Sequence, residues 1–481
     1  MQHNKTKKNL SEIKNYCEDS TKLLLIFKEL LDVLNLTYIN KLFSKSKQKG
    51  IDAKNVFQIL FSLRFLDLKN IQQLTISGYS KELCFKKDVF YEFMKNPLID
   101  WRKIVHLFGK QILQLIIKES EKEENPFPKF LILDDSLVAK SGRCIEFIGK
   151  VYDHCLHKYA LGMKLLTLGY CDSKSFLPLD FSLHNEPGKK GNRGLRKKDL
   201  EKQYSKERHE NQASYQRVLE VSKDKITTAL SLLARAVKKG IQADYILVDS
   251  WFVNEKFMTE VRKIKKQLFV IGLMKTNRII TYKKKNHKAS LIPEIYRKKI
   301  KYSRKLKCHY IPLLVDYKGV EIKAFWIKMK GQQNWKMLVT TNTSLSFIKT
   351  MEYYQIRWSI EVFFKDCKQN LNLNGCQSVD FDAHIAHFSI VFMNYMTLAL
   401  RKRIDDYETI GGLFRHLKEI LLEETLIQKI WELFTTFFSV FLSELGVQWD
   451  FFIQKLIDSQ QELNQQIKKT FDCFFSVEQI A

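Results

Sequence analysis

Three short stretches of this chain hold side chains that could do chemistry together. They are Asp134-Asp135-Ser136, Asp249-Ser250 and, far downstream, the set Tyr354, Arg357, Glu361 and Lys368. Each aspartate stretch closes an apolar run, Phe130-Leu-Ile-Leu in one case and Tyr245-Ile-Leu-Val in the other. Each is therefore expected at the carboxyl end of a strand, where open α/β sheets place their ligands. The downstream set lies in Tyr353–Lys368, a run free of Gly and Pro that reads as one helix, with Lys365 four residues after Glu361 as a supporting ion pair. On a helix turning about 100° per residue, Tyr354, Arg357, Glu361 and Lys368 fall in one stripe roughly 60° wide. Ile360, Phe363, Cys367 and Leu371 fall on another face, suited to a core.

Carboxylates on two strand ends and one helix suit hard divalent cations, which take a few oxygen ligands from protein and the rest from water and phosphate. Hydrolysis or transfer at a DNA phosphodiester uses two such ions about 3.5–4 Å apart, one on the attacking oxygen and one on the leaving oxygen. A solvated, salt-bridged helix face is the plainer account of the downstream stripe taken alone. A turn or cap role is the plainer account of each aspartate.

The spacing Tyr354-x2-Arg357-x3-Glu361-x6-Lys368, with Trp358 directly after the arginine, resembles the Tyr-Arg-Glu-Lys signature of bacterial insertion-sequence transposases of the DDE type, the insertion-sequence-four group. The resemblance spans about residues 125 to 400. It implies an α/β fold, an RNase H-like (retroviral-integrase-like) core with an inserted β domain. It also implies that Asp135, Asp249 and Glu361 are catalytic and hold two Mg²⁺ ions, with Mn²⁺ able to substitute. Such an enzyme binds the inverted-repeat ends of its element as a homodimer, nicks them and joins the 3′-OH to target DNA.

Neighbouring side chains of a strand point to opposite faces, so only one of Asp134 and Asp135 can join the other acids. The Asp-Ser step shared with Asp249-Ser250 selects Asp135, and the related transposases place their first aspartate directly before Ser or Thr. Arg357 and Lys368 are assigned to DNA phosphates, the arginine as a bidentate fork. A salt bridge to Glu361 is the alternative. Tyr354 is assigned to a terminal phosphate or to packing. Enzymes of the resembled group stack a displaced base on an aromatic of the inserted domain, which points to Trp335 or Trp326, with a core role as the alternative.

The charge balance agrees with a nucleic-acid partner. Lys and Arg number 80 against 53 Asp and Glu, a net charge of +27 spread along the chain. A Gly-rich cationic loop, Pro187 to Lys198, offers Lys189, Lys190, Arg193, Arg196, Lys197 and Lys198 for phosphate contacts, and lacks the spacing of a P-loop. Nine cysteines without a CxxC pair argue against a disulfide framework or a zinc site. Met1 to Lys8 lacks a signal-peptide pattern, and the apolar window Ile385–Leu400 is too short to span a membrane. A cytoplasmic, nucleoid-associated protein without membrane contact is expected.

Changes in pattern divide the chain into a helical DNA-binding domain over 1–105, a catalytic core over 125–273, the inserted β domain over 274–345, the last core helices over 346–400 and a helical region over 401–481. Within the first, 48–80 could hold a helix pair that reads DNA, or serve as scaffold. Residues 211–239 read as one long helix. Two other functions fit the same residues: a Mg²⁺-dependent nuclease of the same fold that cuts without joining, and a domesticated DNA-binding protein.

Overall fold

A computed structural model describes residues 34–46, 50–77, 86–120, 127–153, 156–188, 190–404 and 407–419. The chain divides into a unit Leu30–Phe414 and a unit of both ends, Met1–Glu29 with Arg415–Ala481. Nearly all described residues belong to the first, so most of the expected 401–481 region and the start of the 1–105 domain lie outside the described residues.

The first helices are α1 (Thr37–Ser46), α2 (Ala53–Ser62), α3 (Ile71–Ile76), α4 (Asp88–Lys95) and α5 (Trp101–Ser120). Their apolar faces meet in an aromatic core, with Phe43 4.8 Å from Phe57 and 5.7 Å from Trp101 between ring centroids. Four strands follow: β1 (Phe130–Ala139), β2 (Gly149–Asp153), β3 (Lys158–Cys171) and β4 (Phe176–His184). Then come α6 (Lys197–Leu200), α7 (Tyr215–Val221), α8 (Lys225–Lys238), β5 (Tyr245–Val248), α9 (Glu255–Ile264) and β6 (Phe269–Met274). The expected single helix over 211–239 is broken, because Asp224 turns its side chain onto the Thr227 N–H (2.9 Å) and caps a new helix.

The β-rich stretch supplies β7 (Ile279–Tyr282), β8 (Lys285–Lys288), α10 (Ile292–Ile295), β9 (Lys301–Ser303), β10 (Cys308–Tyr317), β11 (Val320–Met329) and β12 (Lys336–Thr340). The chain then forms α11 (Phe347–Gln355), α12 (Trp358–Gln369) and α13 (Phe381–Ile404).

One mixed sheet carries these strands in the order β2-β3-β1-β5-β6-β12-β11-β10-β7-β8, with β4 paired to β3 and β9 to β10. β1, β3 and β4 form an antiparallel meander, while β5 and β6 run parallel to β1. The stretch expected as an inserted β domain continues this sheet, since β12 pairs antiparallel with β6 from Thr340↔Ile271 to Met337↔Met274. Its alternating pattern marks strands; its edge-on joining to the core leaves no mark in that pattern.

α13 passes through the interior and is buried along Phe381–Leu400. It is long and apolar enough to cross a membrane by length and composition, yet 94% of that window is covered by the protein itself. Asn394 on α13 donates to the Phe61 carbonyl (3.2 Å), and Arg64 donates to the Asn370 carbonyl (2.8 Å). The described part of the expected 1–105 domain therefore shares the core of the later helices. α2, half of the helix pair proposed to read DNA, is buried at Ala53 and along Val56–Ser62 and exposes Lys54 and Asn55.

A buried ionic cluster fixes α5, α7 and α8 against β4. Asp180 accepts from Arg102 Nε (3.0 Å) and Arg235 Nε (2.9 Å), with His106 Nε2 3.4 Å away, and Glu220 accepts from Arg102 Nη2 (2.6 Å). Burial opposes the charge on Asp180, yet Arg102, His106 and Arg235 overcome it and hold its carboxyl well below the usual range.

Candidate active site

The site is built where β5 leaves β1. These strands run parallel with Leu133 beside Val248, so the next positions along the two chains are Asp134 and Asp249. Residues paired across parallel strands point to the same face, which brings Asp134 and Asp249 together and turns Asp135 away. β1 does not end at the acids. It runs on to Ala139 against β3, with Asp134 opposite Thr167 and Asp135 opposite Leu166.

The helical part of the site is not one helix. The chain breaks at Ile356-Arg357, where Arg357 N–H bonds Tyr354 O (3.1 Å) and Ser359 N–H bonds Ile356 O (3.0 Å), both three residues back. Such 3₁₀-type bonds tighten the turn and separate α11 from α12. Tyr353 fastens this joint to the sheet, its ring 5.3 Å from Phe130 and 5.2 Å from Tyr245. Tyr354 beside it stays half-buried, with the Arg357 guanidinium 5.8 Å from its ring centroid.

Arg357 is the bridge between helix and sheet. Its Nη1 donates to Asp134 Oδ2 (2.7 Å), and its Nη2 donates to Glu361 Oε1 one turn along α12. Lys368 at the far end of α12 donates to Ser136 Oγ (2.7 Å). Ser136 is two residues after Asp134 and so lies on the same face of β1. The Tyr-Arg-Glu-Lys set thus spans from the acids to the strand that carries them, and Asp249 is oriented by the Trp251 N–H on its Oδ1 (3.0 Å).

Burial, and next the neighbouring Asp249 carboxylate, push the Asp134 carboxyl up to about 7 against the pull of Arg357. Two carboxylates side by side, with one guanidinium that binds Asp134 and is shared with Glu361, are short of positive charge. On the other face of β1, Asp135 pairs with Lys225 Nζ at the start of α8. The assignment of Asp135 to the acidic site is therefore corrected to Asp134 by strand register. A shared Asp-Ser step compares two segments by sequence; the sheet aligns them one residue differently.

Two family models match the chain: "Transposase DDE domain" over residues 220–397 and "DDE superfamily endonuclease" over residues 69–286. The two matches together take in Asp134, Asp249 and Glu361. No curated protein matches the chain significantly. A solved structure, a cryo-EM piggyBac transposase synaptic complex with hairpin DNA, aligns at a TM-score of 0.44 and 14% identity, covering 86% of this chain and 83% of that one.

DDE-type endonuclease domains generally use divalent metals, and the donors here suit one in type: all are carboxylate oxygens, and Asp134 and Asp249 lie side by side with a single guanidinium on Asp134 that it shares with Glu361. As placed, no group of three His, Cys, Asp or Glu among the described residues is close enough to hold an ion. Glu361 is on the far side of the Arg357 guanidinium from Asp134, and that guanidinium holds both.

The remaining expected DNA contacts divide by their partners. Lys189 lies outside the described residues. Arg193 folds over the Phe147 ring (5.9 Å), and its carbonyl accepts from the Lys150 N–H (2.9 Å) of β2. Arg196 Nε is bound to Asp199 (3.0 Å), and Lys197 is 4.0 Å from Glu201. Lys190, Lys197 and Lys198 are exposed. This loop docks on β2. Trp335 is half-buried between β11 and β12, while Trp326 is fully buried with its Nε1 on the Ala289 carbonyl (2.7 Å), which makes it a core residue. Sequence reasoning gave no role to two exposed tryptophans, Trp251, two residues after Asp249, and Trp358, quoted only as part of the signature, 55% and 63% accessible. Their adjacency to Asp249 and Arg357 in the chain was the available signal.

Proposed function

We propose that this chain is a DNA transposase. It binds the inverted-repeat ends of an insertion sequence as a dimer, cuts them with Mg²⁺ and joins the freed 3′ end to target DNA. One observation carries the reading: Asp134 and Asp249 meet on adjacent parallel strands, and the arginine of the Tyr-Arg-Glu-Lys set ties Asp134 to Glu361. The strand order β4-β3-β1-β5-β6, an antiparallel meander followed by two parallel strands, is that of an RNase H-like core and supports it.

Asp134, Asp249 and Glu361 would hold the divalent ions, which when bound supply charge neutralisation and an activated oxygen at the scissile phosphate. With those carboxylates engaged, Arg357 would be left to present its fork to a phosphate oxygen, the geometry in which guanidinium binds best. Lys368, anchored on Ser136, places a second positive charge along the same face. Tyr354 offers its phenol to a terminal phosphate. The net charge of +27 draws the duplex to the protein and makes binding salt-dependent.

Labelled duplexes from the DNA flanking this gene, incubated with the protein, Mg²⁺ and a target plasmid, test the reading. Cleavage at the element ends followed by a joined product is expected. Cleavage without joining would assign a nuclease, and specific binding without cleavage a DNA-binding protein.

A further inference from the structure

Behind the acidic site, on the face of β1 that carries Asp135, one ammonium joins the two strands that supply the aspartates. Lys225 is the first residue of α8, where the helix dipole favours an anion over a cation. Its Nζ lies against Asp135 Oδ2, 4.9 Å from the Phe252 ring centroid and 5.5 Å from that of Trp251. The ring faces attract the cation as the carboxylate does. Other groups face this spot: Asp224 at the helix cap, the buried His184 of β4, and Lys275 on Trp251 at 5.7 Å. Asp135 follows Asp134 in β1, and Trp251 and Phe252 follow Asp249 in the turn after β5. That turn is stiff, because Trp251 N–H binds Asp249 Oδ1 (3.0 Å) and Phe252 is fully buried.

We propose that Lys225 is a positioning residue of the metal site. Held between Asp135 and the Trp251-Phe252 pair, it fixes the separation of Asp134 and Asp249 before any ion binds. The proposal rests on the reading of the chain as a metal-dependent transposase.

Simple electrostatics and positioning predict opposite signs for its removal. Deleting a positive charge beside Asp135, next in the chain to Asp134, should tighten cation binding, whereas loosening the strand ends should weaken it. Mn²⁺ titration of the full chain, with free ion counted by electron paramagnetic resonance, reads the difference without DNA or turnover. Lys225→Met is expected to weaken Mn²⁺ binding by about 10-fold or more, the size found when a residue supporting metal ligands is lost. Lys225→Arg, which keeps the charge and the ring contacts, should stay near wild type. In a double-mutant cycle, Asp135→Asn should cost less Mn²⁺ affinity in the Lys225→Met background than alone. Equal or tighter binding by Lys225→Met overturns the proposal, as does a Lys225→Met chain that is unfolded in chelator. Wild-type binding that survives Asp134→Asn with Asp249→Asn would instead remove the metal site itself, and with it the reading on which this proposal stands.

Discussion

Asp134 and Asp180 are both buried aspartates among arginines, and their surroundings treat them oppositely. Asp180 has Arg102, Arg235 and His106 around it and is held well below the usual carboxylate range. Asp134 has half of one guanidinium and a carboxylate neighbour, and is pushed up to about 7. A buried charge with its partners in place holds helices to a strand. A buried charge left short of partners has been kept for something that arrives later, and its position is where a cation would be drawn.

The largest test of that contrast is at the acids themselves. Asp134→Asn, Asp249→Asn and Glu361→Gln are each expected to lower end cleavage by at least about 10³-fold, a loss of several kcal/mol of transition-state stabilisation. End binding in a shift assay should persist. Asp135→Asn should retain cleavage at saturating Mg²⁺, since Asp135 faces Lys225. An inactive Asp135→Asn beside an active Asp134→Asn would reverse the strand register argued above.

Asp180→Asn should do the opposite: it leaves Arg102, Arg235 and His106 around a neutral amide. Removing one partner of a buried ionic group costs about 3–5 kcal/mol. Denaturant unfolding should show that loss, while Asp134→Asn, which relieves a like-charge contact, should unfold no earlier than wild type in chelator. A Asp180→Asn chain of unchanged stability would remove the structural role given to the cluster.

How much of this was legible in the sequence depends on the range of each relation. Arg357 and Glu361 are one helical turn apart, so their pairing could be read from spacing alone, and it survived the break between α11 and α12. The choice between Asp134 and Asp135 depended on which residue of β5 pairs with Leu133, a relation across 115 positions that a shared Asp-Ser step does not encode. The same limit hid Lys225, whose partners lie on β1 and after β5. Alternation marked β10–β12 as strands, but whether they form their own sheet or continue another is decided by edge pairing, which alternation does not record. The N-terminal helices were read as helices from their apolar spacing. Their use of α13 as a shared core was invisible, because a buried face looks the same whatever covers it.

A third buried group sharpens the comparison by having no ionic partner among the described residues. His384 on α13 is fully buried, with its Nε2 2.9 Å from the Ser378 carbonyl, and burial brings its pKa down to about 3. The sign follows from linkage: the unfolded chain takes up this proton near the ordinary value of about 6.5 and the folded chain does not. Stability from this residue is full above about pH 6.5 and falls as pH drops toward 3. Between about pH 4 and 6 the slope approaches 1.4 kcal/mol per pH unit. Unfolding free energies measured across that window should lose one proton's worth of slope in His384→Gln. An unchanged slope would mean that His384 charges in the folded state.

The cationic loop carries the same logic to the surface, where effects are smallest. Arg196 is bound to Asp199, so its charge is already answered within the protein, as that of Arg102 is by Asp180. Lys190 and Lys198 are exposed and have no acidic partner among the described residues. If the loop tracks DNA, those two release counterions on binding and Arg196 contributes little. The logarithm of affinity against the logarithm of salt concentration should then flatten by about 0.9 for each of Lys190→Ala and Lys198→Ala. For Arg196→Ala the change should be well below that. A slope that changes as much for Arg196→Ala as for Lys198→Ala would show that DNA displaces Asp199, and that an ion pair on this surface does not reserve a side chain for structure.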